Sequence, residues 1–108
     1  MSESVDKVLE GIKARAAAQA IRVTQHAQQE MDADDVTLDE ILAAIAVGQI
    51  VENYPEHRRG PCCLLYGRSP KKRPLHIVCT TAYPLLIIIT VYIPKPLKGL
   101  SPTQRRQI

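Results

Sequence analysis

A chain of 108 residues, 45% hydrophobic and 23% charged, fits one globular domain closing a single apolar core. Its net charge of +3 is divided unevenly: residues 1–54 hold four Lys/Arg against ten Asp/Glu, a net of −6, and residues 55–108 hold ten Lys/Arg against the single Glu56, a net of +9. That division points to an anionic partner for one face. The longest apolar run, PLLIIITVYIP, is far short of the ~20 residues of a membrane-spanning helix. The N-terminus also lacks a cationic and then apolar leader, so a soluble, cytoplasmic protein without membrane contact is expected.

Along the chain, Val5, Val8, Leu9, Ile12 and Ala16 recur at spacings of three and four, which predicts an amphipathic helix over residues 4–18. In AIRVT, Ile21 and Val23 alternate with polar neighbours and suit a short strand. QHAQQEM reads as a short helix capped by Thr24 and stopping in the acidic loop DADD. For the next helix Thr37 and Glu40 form a Ser/Thr-x-x-Glu capping box, with Val36 and Ile41 at the staple positions. Asp39 and Glu40 favour the positive end of its macrodipole, and Leu38, Ile41, Leu42 and Ile45 form its buried stripe. Gly48 stands where a left-handed residue would end it.

After Gly48 the apolar period falls from 3.6 to two. QIVENY, CCLLYG, PLHIVCTT and LLIIITVYI read as four strands, and connections as short as PEHRRGP, RSPKKR and AYP join antiparallel neighbours. The fourth strand is apolar almost throughout, the mark of a strand covered on both faces. Either the first helix lies on one face and the helix pair on the other, or all three share one. The three cysteines are an odd number, and Cys62 and Cys63 on successive strand positions point to opposite faces, so packing is favoured over a disulfide or a shared metal. The expected fold class is α+β: a four- or five-stranded antiparallel sheet packed by two helices, with an N-terminal helical extension. The expected divisions are a helix at 1–19, an α+β domain at 20–96 and a basic, Pro-containing tail at 97–108. The segment PKPLKGLSPTQRRQI, with three prolines and four cations, reads as a mobile or loosely docked arm.

RVTQHAQQEM, a helix ending in Gly, GQIVENYP, LLYG, PLHIVCTT and IITVYIP follow one another in the order of the family called domain of unknown function 4258, which the chain resembles over roughly residues 20 to 96. That family is similar to the RelE/ParE-like toxins, and the resemblance implies their core of a strand, two helices and a curved antiparallel sheet. The wider group includes ribosome-dependent and free messenger-RNA endonucleases, gyrase poisons and proteins without known activity. It also implies a protein partner of antitoxin type. Where the family's short helix carries basic residues, Glu30 and Asp34 stand around Met31 here, and no tryptophan follows the last strand.

Metal-independent RNA cleavage needs a base for the 2′-hydroxyl proton, an acid for the leaving 5′-oxygen and cations for the phosphate. Histidine suits both proton-transfer roles. His26 opens the short helix, either as an acid–base group or as a hydrogen-bonded residue fixing the helix entry. His76 shares a strand face with Val78 and Thr80, beside the cationic turn. His57 lies in a loop and reads as solvated. Arg68, Lys71, Lys72 and Arg73 are the candidate phosphate grips, and Tyr92 is a candidate positioning group. Arg58 and Arg59 belong to the loop at the other end of the sheet. No glycine-rich phosphate loop, zinc-spaced Cys/His cluster or Ser/His/Asp order is present, so no cofactor and no metal are expected. The expected function is a toxin-type RNA-binding protein, with messenger-RNA cleavage open; the alternative is a non-catalytic module that binds a protein or another anion.

Overall fold

The computed structural model describes residues 4–58, 60–82 and 84–94. Helix α1 (Val5–Ala17) and strand β1 (Ile21–Val23) are followed by helices α2 (Gln25–Asp34) and α3 (Leu38–Ala46). Strands β2 (Gln49–Tyr54), β3 (Cys62–Arg68), β4 (Pro74–Thr80) and β5 (Leu86–Tyr92) complete the fold. The segment 97–108 expected to form a tail lies outside the described residues.

Each helix starts on a hydroxyl cap. Ser4, Thr24 and Thr37 accept from the backbone N–H groups of Lys7, Ala27 and Glu40 at 3.3, 3.1 and 3.1 Å, each satisfying one orphan donor. Val36 and Ile41 are both buried, as staple residues should be. Helix α1 ends on Gln19 in the left-handed region (φ 57°), with the N–H groups of Gln19 and Ala20 donating to Ala16 O and Arg15 O at 3.0 and 2.9 Å. Helix α2 runs through most of the acidic stretch that the sequence pattern treats as a loop. It stops at a left-handed Asp35 (φ 54°), a conformation that a short polar side chain tolerates, with Val36 N–H donating to Met31 O at 2.8 Å.

Gly48 is a correction. Among the described glycines only Gly60 has a positive φ, so Gly48 is no left-handed terminator. A Cβ at Gly48 would stand 2.9 Å from Ala44 O and 3.1 Å from Tyr66 O. Glycine is needed there for space between α3 and β3, not for backbone freedom. Gly67 obeys the same constraint more severely, since its missing Cβ would overlap the Ala44 carbonyl.

The strand order is β1-β5-β4-β3-β2. The meander β2 to β5 is antiparallel as expected, but β1 lies parallel to β5, with Ile21 opposite Leu86 and Val23 opposite Ile88. The sheet is therefore mixed, which corrects the purely antiparallel expectation. A short strand separated from the meander by two helices is free of the hairpin constraint that forces antiparallel pairing.

Alternation assigns the two faces. Cys63, Leu65, Leu75, Ile77, Cys79, Leu86, Ile88 and Val91 are buried in one cluster with Ile12 and Ala16 of α1, Ala27 and Met31 of α2, and Ile41, Ala44 and Ile45 of α3. All three helices thus feed one face, the second of the two arrangements expected. Among the described residues no second helical layer covers β5, and Ile87, Ile89, Thr90 and Tyr92 are only half-buried. Their β-branched and aromatic character suits the pleat of a sheet as much as it suits a two-sided core. No helix of the described residues is long and apolar enough to cross a membrane.

Candidate functional site

The turn between β3 and β4 sets the register of everything on the outer face. Lys72 N–H donates to Ser69 O at 2.8 Å and Ser69 N–H to Arg73 O at 2.9 Å, enclosing Pro70, Lys71 and Lys72 in a three-residue loop. Lys72 takes the left-handed position of that loop (φ 63°), which glycine would normally fill. Pairing about this turn sets Tyr66 opposite His76 and Arg68 opposite Pro74. The neighbouring ladders set Gln49 opposite Tyr66 and His76 opposite Tyr92. Directly paired residues share a face, so Gln49, Tyr66, His76 and Tyr92 form one row across four strands on the face away from the helices, about 14 Å long at ~4.8 Å per strand.

Three members of the row touch. The His76 ring meets Tyr66 edge-on, with centroids 6.1 Å apart and planes at 88°, and meets Tyr92 likewise at 5.2 Å and 79°. His76 Nδ1 and the Tyr92 hydroxyl are hydrogen-bonded at 3.1 Å. His76 is only 1% exposed, while Tyr66 and Tyr92 are half-exposed. The tyrosines meet solvent and the histidine stands between them, hydrogen-bonded to Tyr92.

The cationic turn divides. Arg68 continues the outer face two positions beyond Tyr66, is exposed, and spends one donor on Lys72 O at 3.1 Å. Lys71 and Lys72 are exposed at the tip. Arg73 points to the opposite, helical side. Its Nε and Nη2 bind Glu40 Oε2 and Oε1 at 2.9 and 2.6 Å, while its Nη1 and Nη2 reach Asp34 O and Asp35 O at 2.9 Å each. Arg73 thereby clamps the end of α2 to the start of α3 with a bidentate fork. Its hydrogen bonds hold the buried Glu40 carboxyl below the ordinary carboxylate range against the upward push of burial, with Ser69 helping, and the same bonds raise Arg73. Glu40 was expected to complete a capping box; Thr37 supplies its half, and the Glu40 carboxylate is taken by Arg73.

His26 is 65% exposed and stands 3.3 Å from Glu30 Oε1. The same oxygen accepts from Val91 N–H at 2.9 Å, and Thr24 Oγ1 donates to Ile89 O at 3.1 Å. Where the short β1 stops, α2 therefore satisfies the free edge of β5 with side chains. The acidic Glu30 has a structural reason, and it places His26 at the edge of the strand whose outer face carries Tyr92. Arg58 and His57 lie in the β2–β3 loop, at the opposite end of β3 from the cationic turn.

Cys63 and Cys79 face each other in the core, Sγ to Sγ 3.9 Å, and Cys62 lies on the outer face. Their mutual contact and burial keep the Cys79 thiol well above its ordinary range, and burial raises Cys62. Protonated buried thiols pack and do not attack.

Sequence reasoning missed Tyr66 and Gln49. A three-residue turn centred on Lys71 would have paired Tyr66 with His76 by counting outward, but the turn's length is set by the left-handed Lys72, which no composition rule anticipates. The inward turn of Arg73 was legible in principle, since it precedes the outward Pro74 by one residue.

The sequence profile of the family described as Domain of unknown function (DUF4258) matches residues 23–93. The chain belongs to that family. No curated protein and no solved structure was found to match it. The matched span begins at the end of β1, so α1 lies outside it while contributing Ile12 and Ala16 to the same core.

Proposed function

We propose that this chain is a toxin-type RNA-binding protein of RelE/ParE-like fold, equipped by Tyr92 and His76 to cleave messenger RNA without a metal. The element order from Ile21 onward, a strand, two helices and an antiparallel meander, supports the fold part of this reading. The observation that carries the functional part is the contact row Tyr66–His76–Tyr92 with Arg68 next on the same face and Lys71 and Lys72 at the adjoining tip.

In this reading Arg68, Lys71 and Lys72 hold phosphate, and Arg73 is a structural clamp. Tyr92 meets the ribose and takes the 2′-hydroxyl proton while handing its own hydroxyl proton to His76 Nδ1 across their hydrogen bond, as the 2′-oxygen attacks the adjacent phosphorus. The P–O5′ bond breaks, a 2′,3′-cyclic phosphate remains, and His26 at the edge of β5 delivers the proton to the departing 5′-oxygen. Messenger RNA, free or on the ribosome, is the substrate, and an antitoxin protein is the partner. A second reading has its own observation: at 1% exposure His76 is closed to solvent, as it would be in a module that binds RNA or another anion without cutting it.

Incubating the purified protein with messenger RNA, with and without ribosomes and with and without a chelator, separates the two. Cleavage that survives the chelator, leaves cyclic phosphate ends and falls about 100-fold or more in Tyr92→Phe supports catalysis. Binding without cleavage under every condition supports the second reading, and cleavage indifferent to Tyr92→Phe, His76→Ala and His26→Ala rejects the assigned groups.

A further inference from the structure

The row's outer end has no role in proton transfer or phosphate contact. Gln49 begins β2, is exposed, and stands directly opposite Tyr66 on the outer face. Tyr66 is half-exposed and braced on its other side by the edge-on His76 ring, which fixes its plane. Beyond Tyr66 on the same face comes Arg68, and two strands further along the row comes Tyr92. A nucleotide laid along this row meets a flat aromatic surface, an amide and a guanidinium within one residue's reach of each other.

We infer that Gln49 and Tyr66 form a nucleobase subsite for an unpaired base, with adenine preferred, a step that rests on the RNA-binding reading and deepens it. Tyr66 supplies the stacking surface, which accepts any base. Discrimination falls to the Gln49 amide, which offers one donor beside one acceptor. Every unpaired base carries a matching pair on its Watson–Crick edge. Adenine alone carries one on its Hoogsteen edge as well, since its amino group lies between two ring acceptors. Adenine can therefore meet the amide in two orientations, and as a purine it covers more of the tyrosine ring. The base sits over Tyr66, its phosphate turns toward Arg68, and the ribose reaches toward Tyr92. A duplex is excluded, because its bases are stacked on one another and closed to the tyrosine.

The test uses labelled single-stranded oligoadenylate, oligouridylate and oligocytidylate of about eight nucleotides, a length within one single-strand binding site, and a blunt duplex. The wild-type chain should bind oligoadenylate most tightly, and the duplex weakly. Tyr66→Ala should lower affinity for all three strands about tenfold, while Tyr66→Phe, which keeps the ring, should hold it within about twofold. Gln49→Ala, an exposed substitution, should abolish the preference for oligoadenylate, bringing its affinity down to that of the other two strands. Equal binding of the three strands by the wild type, or a preference that survives both Gln49→Ala and Tyr66→Ala, would overturn the subsite while RNA binding stood. Failure of every oligonucleotide to bind would remove the RNA reading itself and the subsite with it.

Discussion

Arg68 and Arg73 flank the same three-residue turn, yet they do different work. Arg68 faces outward beside Tyr66, exposed, with one donor held by Lys72 O. Arg73 faces inward, where its guanidinium binds a carboxylate that is 3% exposed and two helix carbonyls. Side-chain period decides which is which: residues an odd number of positions apart along an extended hairpin reach opposite sides of the sheet. Charge counted along a sequence therefore overstates the charge available to a ligand, because one of the four cations at this turn is spent on holding two helices.

The inner side should be the more sensitive to substitution. Gly67→Ala drives a Cβ into the Ala44 carbonyl and should destabilise the fold by about 3 kcal/mol, read from urea denaturation. A neutral effect would mean that α3 does not lie this close to β3. Next comes Arg73→Ala, which strands the buried Glu40 carboxylate and should produce a clear fall in Tm. Arg68→Ala should leave Tm unchanged and weaken RNA binding, so the two arginines separate stability from affinity. If both variants lost stability alike, the contrast between them would be gone.

Acidification should weaken the same clamp. The Glu40 carboxyl is held below its ordinary range in the folded chain, so its contribution is fully present above the unfolded value and disappears as pH falls through the folded one. The stability difference between the wild type and Glu40→Gln should accordingly be full near neutrality and shrink on the acid side. Urea midpoints taken across that range check it, and a difference that grew on acidification would contradict the assignment. A small effect of opposite sign belongs to the tip. Lys72→Gly relieves a left-handed lysine and should stabilise by about 1 kcal/mol while lowering RNA affinity. A lysine retained in a strained position is what a charge-dependent role for the tip would lead one to find.

Much of the fold was legible because it rests on local chemistry. The hydroxyl caps at Thr24 and Thr37, the four strands of the meander and the alternation in PLHIVCTT each depend on residues within a few positions. The features that were not legible depend on contacts distant in sequence. Gly48 resembles a helix terminator until β3 is laid beside α3; Glu40 resembles half of a capping box until Arg73 arrives from 33 residues away. The parallel pairing of β1 with β5 likewise joins segments at opposite ends of the matched domain. For the site, His76 and Tyr92 were visible as titratable groups on neighbouring strands, but their contact and the addition of Tyr66 required the register.

The central claim is that the outward cations bind phosphate, and the salt dependence of RNA affinity tests it most directly. For the wild type, log K against log salt should fall steeply, and Arg68→Ala should reduce the slope by about 0.7, the counterion release of one single-strand phosphate contact. A flat wild-type response, or a slope that Arg68→Ala leaves untouched, would contradict the account.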